Sequence, residues 1–364
     1  MWIADSDFQA PNEVIEALRK RLEHPCFGYP ADEQSFNEAA AGWEQRRFGW
    51  EVKPEWVVYG GGVMPFIMLA IRAFSAPGDQ VIIQSPVYPP FHDIVRNNGR
   101  QLITNSLIIR DNGSYEVDFI DLEEKLSQSR TKLLIMCNPH NPVMKSYTKD
   151  ELKKIGDLCI KHGVFVVSDE VHGDMVFGGR SHIPFGSLGE KYADNSMVLI
   201  NPSKTFNVSG FYIGAAVIPN KARREAVEVQ IKNNKDYSRP IFSTTAFVAA
   251  YTKCDDYADE VKKYIESNAE FAVNFIRERL SPIRIGSVEA TFLLWLDCKE
   301  LHMEQTELCD FFLKAAKLKL NDGKTFGPEG VGFMRMNIAC PRSVLVDALN
   351  RIEKALKGGM EGKT

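Results

Sequence analysis

Lys204 and Asp169 are the two residues of this chain whose types and placement suggest joint chemistry. Lys204 stands in the run Ser203-Lys204-Thr205-Phe206-Asn207, downstream of Asp169, which closes the apolar run Val166-Val167-Ser168-Asp169. A lysine amine condenses with an aldehyde, and a buried carboxylate keeps a ring nitrogen protonated so that the ring withdraws electrons. A lysine and an acid so placed fit pyridoxal phosphate chemistry on an amino acid. Each alone has a plainer explanation: Asp169 as the cap of the next segment, Lys204 as a solvated surface lysine.

Four further segments bear on the same chemistry. Gly60-Gly61-Gly62-Val63 lies between an apolar strand and an apolar helix, where backbone amides can approach a phosphate, although a glycine triplet also makes an ordinary turn. Tyr88, in Ser85-Pro86-Val87-Tyr88-Pro89-Pro90-Phe91, can lay its ring on a flat cofactor or simply pack on its own prolines. In Cys137-Asn138-Pro139-His140-Asn141-Pro142 the two prolines remove donors and leave the Asn141 amide free for a ligand oxygen, unless the segment is only a loop. Arg335, flanked by Phe333, Met334 and Met336, needs a carboxylate or phosphate partner, which a structural salt bridge would also supply.

These residues must be positioned by a scaffold, and the middle of the chain has the pattern for one. Short apolar runs at Trp56–Tyr59, Gln80–Gln84, Leu133–Cys137, Val164–Ser168, Met197–Ile200 and Gly214–Ile218 alternate with helical patterns. That alternation predicts an α/β fold with a largely parallel sheet between helices. Thr148 and Glu151 predict a capping box opening a helix that Gly163 ends. Ligands of such sheets bind beyond the carboxyl ends of the strands, where Asn141, Asp169 and Lys204 all fall. The chain divides into an N-terminal segment (1–22), a large domain (23–250) and a smaller α+β domain (251–364), as expected of 364 residues.

Composition narrows the function classes. A formal net charge of −4 gives no support for nucleic-acid binding, and no apolar run approaches membrane-spanning length. Seven scattered cysteines, without a C-x-x-C pair, predict reduced thiols in a cytoplasmic protein. Asp5, Asp7 and Glu13 argue against a signal peptide.

The order of these motifs resembles the fold type I pyridoxal-phosphate enzymes, the aminotransferase-like superfamily. Within it, Met1-Trp2-Ile3-Ala4-Asp5-Ser6-Asp7-Phe8, Phe27-Gly28-Tyr29, Asn138-Pro139-His140-Asn141-Pro142-Val143, Asp169-Glu170-Val171-His172 and Asn337-Ile338-Ala339-Cys340-Pro341-Arg342-Ser343 are similar to the MalY/PatB cystathionine β-lyases. The resemblance implies a mostly parallel seven-stranded sheet and the cofactor pyridoxal 5′-phosphate. It implies that Lys204 anchors the cofactor and removes the Cα proton, with Asp169 on the ring nitrogen. Asn141 would bond the ring hydroxyl with His172 behind it, and Tyr88 would stack on the ring. Gly61, Gly62, Val63 and Ser203 would hold the phosphate, joined by Tyr29 from the neighbouring subunit of a homodimer. Arg335 would clamp the carboxylate of the small amino-acid substrate, with the backbone at Ile3 and Ala4 lining the pocket.

The implied reaction is α,β-elimination at a carbon–sulfur bond, giving a thiol, pyruvate and ammonia. The alternatives are an aminotransferase and a catalytically impaired homologue with a binding or regulatory role. Four departures stand out. Tyr212 occupies the position, eight residues after Lys204, where many aminotransferases of the superfamily carry a phosphate-anchoring arginine, which favours the lyase branch. Met144-Lys145 and Tyr147 stand where that branch has Gly-Arg and tryptophan, and Asn201 where a small or hydroxyl residue is usual. Family members also carry an N-terminal arm ahead of the Met-Trp segment, and such an arm is expected to be missing here.

Overall fold

Successive residues of Leu133-Leu134-Ile135-Met136-Cys137 go to opposite faces of a strand, and both faces are buried. Leu134 and Met136 join one hydrophobic core with Ile82, Val166 and Val198, while Leu133, Ile135 and Cys137 join another with Val81, Val167 and Leu199. Continuous apolar strands of this kind mark a parallel sheet covered on both sides.

The computed structural model describes residues 1–30, 34–234 and 239–361. Its strands are β1 (Val57–Gly60), β2 (Gln80–Ser85), β3 (Gln101–Ser106), β4 (Ile108–Ile109), β5 (Tyr115–Glu116), β6 (Thr131–Cys137), β7 (Phe165–Asp169), β8 (Ser196–Ile200), β9 (Gly214–Val217), β10 (Arg284–Ile285), β11 (Leu293–Asp297), β12 (Asn321–Asp322) and β13 (Phe333–Asn337). A seven-stranded sheet runs β1-β9-β8-β7-β6-β2-β3. All its neighbours from β8 to β3 are parallel, and β9 alone runs against the rest. The carboxyl ends of β1, β2, β6, β7 and β8 therefore share one edge.

The six expected strands are all present, and the fold class agrees with expectation. The seventh, β3, is an edge strand whose residues Gln101, Thr104, Asn105 and Ser106 break the apolar pattern, so hydrophobicity gave no sign of it. The helix Lys149–His162 has the predicted capping box, with the Glu151 amide donating to Thr148 Oγ1 at 3.2 Å and the Thr148 amide to Glu151 Oε2 at 2.9 Å. Gly163 ends it at φ 67°, in the left-handed region that glycine tolerates. The helix Val63–Phe74 lies on the opposite face of the sheet, burying Phe66, Ile67, Ala70 and Ile71.

A second, antiparallel sheet, β10-β11-β13-β12, carries Arg335 on β13 opposite Trp295 on β11. Residues 1–8 run beside it as a strap. The Asn337 amide donates to the Met1 carbonyl at 3.0 Å, and its side chain to the carbonyls of Ile3 and Asp5 at 2.6 and 2.7 Å. Asn207 Nδ2 holds the carbonyls of Ser6 and Phe8. Beside this sheet a helix, Gln305–Asp310, passes into a π-turn, Phe311–Ala315, and Lys317 at φ 54° follows it. No helix among the described residues is long and apolar enough to cross a membrane, and all seven cysteines are free.

Candidate active site

Asp169, Lys204 and Asn141 owe their proximity to register. In the sheet Asp169 stands beside Cys137 of β6 and Leu199 of β8, so the segments that follow the three strands emerge together. Lys204, Asp169, Asn141, His172 and Tyr88 all line one cavity of about 350 Å³, the size range of small-molecule sites. Ala4, Gly61, Gly62, Val63 and Ser203 line it too. A larger cavity of about 460 Å³, beside the β4–β5 hairpin, is lined by Arg110, Arg277 and Arg284 with Asp111 and Asp297, and it holds no lysine and none of the candidate site residues singled out from the sequence.

Lys204 Nζ donates to the Ala4 carbonyl at 2.5 Å. Burial lowers its pKa and Arg335 lowers it further, against Asp169 and Asp5. Burial raises the Asp169 carboxyl to about 7, although the Val171 amide and Lys204 pull it back. His172 is held well below the ordinary histidine value by burial, then by Lys204 and Arg335, so it is neutral. Its Nδ1 is buried and has no hydrogen-bond partner among the described residues. Burial raises the Tyr88 hydroxyl, with Asp169 adding to the effect.

Arg335 is 3% exposed and stands just behind the cavity wall. Nη1 donates to Asn141 Oδ1 at 3.2 Å, Nη2 to the Trp2 carbonyl at 2.8 Å, and Nε has no hydrogen-bond partner among the described residues. Its partners are thus an amide and a carbonyl, and no salt bridge to a carboxylate was found for it among the described residues. Burial lowers its pKa to about 10. A desolvated guanidinium of this kind is a ready receptor for a carboxylate.

At the end of β1 the chain turns through Gly62 at φ 116° into the helix Val63–Phe74, and no side chain caps that helix start. The first amides of a helix carry partial positive charge and want acceptors, so an uncapped start inside a cavity suits an anion. Asn201 faces the same turn: its Oδ1 accepts from the Ser203 amide at 2.8 Å, and its Nδ2 lies 3.8 Å from where a Gly62 Cβ would stand.

The remaining sequence candidates lie outside the cavity. Ile3 is half exposed and its carbonyl is taken by Asn337, while Tyr29 is 98% exposed. Cys137, Val171, Ser209 and Tyr212 line the cavity without having been singled out as site residues. Position at the end of β6 and just past β7 was the available signal for the first two. Nothing local marks Ser209.

The class I and II aminotransferase family model matches residues 3–352. The chain belongs to that family. Among its relatives in the family, cystathionine beta-lyase PatB of Bacillus subtilis is 42% identical, over 98% of this chain and 92% of PatB. MalY of Escherichia coli is 31% identical, over 98% of this chain and 90% of its own length. The crystal structure of cystalysin from Treponema denticola, which contains a pyridoxal 5′-phosphate cofactor, superposes with a TM-score of 0.95 at 33% identity, covering 98% of this chain and 91% of that one.

Proposed function

We propose that this chain is a pyridoxal 5′-phosphate-dependent carbon–sulfur β-lyase that converts cystathionine or a related cysteine thioether to a thiol, pyruvate and ammonia. The observation that carries the reading is 42% identity to PatB along nearly the whole chain, with Lys204, Asp169 and Asn141 in one cavity and Arg335 bonded to its wall.

The residues present fit the cofactor. The uncapped helix start at Gly61, Gly62 and Val63, with Ser203, suits its phosphate. Asp169, buried and lifted to about 7, gains most from an opposing cation such as a protonated ring nitrogen. Asn141 and the Nδ1 of His172, which has no partner among the described residues, offer polar atoms in the same cavity as Asp169, and Tyr88 offers a ring. When bound, the cofactor supplies a ring that withdraws electrons from the substrate's Cα.

The protein's own residues then carry the proton and the orientation. Arg335 takes the substrate carboxylate in place of the Trp2 carbonyl, with the backbone at Ile3 and Ala4 beside it. Lys204, released from the Ala4 carbonyl, has an amine whose pKa is depressed by burial, so at neutral pH more of it is free to accept the Cα proton. The same ammonium can return that proton to the departing sulfur. Breaking of the Cβ–S bond releases the thiol and leaves 2-aminoacrylate, an enamine whose imine form takes up water to give pyruvate and ammonia.

We read the chain as a cytoplasmic homodimer in which Tyr29 reaches the neighbouring site, and residues 23–250 and 251–364 as its large and small domains with 1–22 packed on the latter. The near-complete exposure of Tyr29 supports the first of these. The test of the activity is product analysis with cystathionine and cofactor. Pyruvate and homocysteine in equal amounts are expected. A 2-oxo acid that keeps the thioether would instead establish an aminotransferase.

A further inference from the structure

Neither residue that follows Lys204 lines the cavity. Thr205, 2% exposed, donates from Oγ1 to Asp174 Oδ2 at 2.7 Å. Asp174 Oδ1 lies 3.5 Å from Arg47 Nε, and Arg47 Nη1 lies 2.7 Å from Asp259 Oδ1 on the helix Asp255–Arg279. The Arg47 guanidinium lies over the Trp43 ring at 5.2 Å. Phe206 is fully buried, edge-on to Trp43 at 5.5 Å and stacked with Tyr257 at 6.0 Å. The backbone on the far side of Lys204 is therefore held by a charged chain at one residue and by aromatic rings at the next.

Asp174 belongs to the segment that follows β7, whose last residue is Asp169; the same segment carries His172, with the Met175 amide bonded to the His172 carbonyl. The Thr205–Asp174 bond thus ties the segment after β8 to the segment after β7, behind the cavity. Burial, and then Glu170 and Asp174 themselves, push the carboxyl of the nearby Glu44 well above its ordinary value.

We propose that Asp174 is a positioning residue for the reaction, fixing Lys204 relative to Asp169 through Thr205, with Arg47 and Asp259 holding Asp174 in place. The inference rests on Lys204 acting as cofactor anchor and base, as argued above. A nitrogen that must serve both roles tolerates little displacement, and an error of about 1 Å in such a group costs on the order of a hundredfold in rate.

Three variants of the cofactor-loaded protein test this. Thr205→Val removes the donor at constant shape, Thr205→Ser retains it, and Asp174→Asn retains an acceptor while losing the charge that holds Arg47. Thr205→Val and Asp174→Asn are expected to lower kcat about a hundredfold with KM for cystathionine little changed, and Thr205→Ser to restore most of it. A second readout needs no turnover: the rate at which cofactor-free protein captures pyridoxal phosphate on Lys204, trapped with borohydride, should fall in the first two and recover in the serine variant. Wild-type capture and kcat in Thr205→Val, with only a lower melting temperature, would show the contact to be structural and overturn the proposal. Should Asp174→Asn not fold, Thr205→Val decides alone. If the wild-type chain captures no cofactor on Lys204, the functional reading fails and this inference with it.

Discussion

Burial holds the Asp169 carboxyl near 7 in the folded chain, against about 3.9 for a free aspartate. Between those values the folded form binds a proton that the unfolded form has lost, so the stability of cofactor-free protein falls as pH rises from about 4 to about 7. The full loss is at most about 4 kcal/mol, or about 5 °C in Tm for a chain of this size. Asp169→Asn removes the penalty and should raise the melting temperature of cofactor-free protein at pH 8 while abolishing turnover. A flat wild-type profile together with a lower-melting variant would contradict this account of the site. Asp169 and Lys204 were legible in the sequence because each follows an apolar strand closely. Arg335 was legible as a buried arginine, but its partners were not: an amide and a carbonyl take the place of the carboxylate or phosphate expected, because Asn141 and Trp2 come from distant parts of the chain.

The loop Asn138–Tyr147 shows what could be read at the scale of an element and what could not. The family resemblance puts glycine at position 144, and here Met144 holds φ 59°, the left-handed region that favours glycine. The conformation survives because the residue is locked in. Met144 is 1% exposed, its carbonyl accepts from the amides of Glu289 and Ala290 at 3.1 Å, and its Sδ accepts from the Trp295 amide at 3.4 Å. Lys145, in the arginine position, pairs with Glu151 at 2.8 Å. The Tyr147 hydroxyl bonds His140 Nδ1 at 2.9 Å and Gln84 Oε1 at 3.1 Å. These replacements fit the loop that presents Asn141, and none of their contacts is local enough to appear in a sequence pattern. The capping box at Thr148, by contrast, is local and was readable. Strand β3 and the π-turn at Phe311–Ala315 escaped for opposite reasons: the first is a polar edge, and the second has an apolar period that a helix would share.

Across the whole molecule, the homodimer proposed above would cover the exposed aromatic residues Phe27, Tyr29 and Tyr212, the last of which also lines the cavity. They are 54%, 98% and 78% exposed in the isolated chain, more than side chains of that size usually leave in water. Sedimentation should give twice the mass of one chain. Tyr29→Ala should keep that mass but release cofactor more readily, since Tyr29 is assigned to the neighbouring site. A fully active monomer would exclude that assignment. The proposed chemistry depends on one covalent contact, between Lys204 and the cofactor. Borohydride reduction of protein loaded with pyridoxal phosphate, followed by peptide mapping, should place the cofactor on the peptide containing Lys204, with none bound in Lys204→Ala. Cofactor on another lysine, or undiminished labelling in that variant, would contradict it.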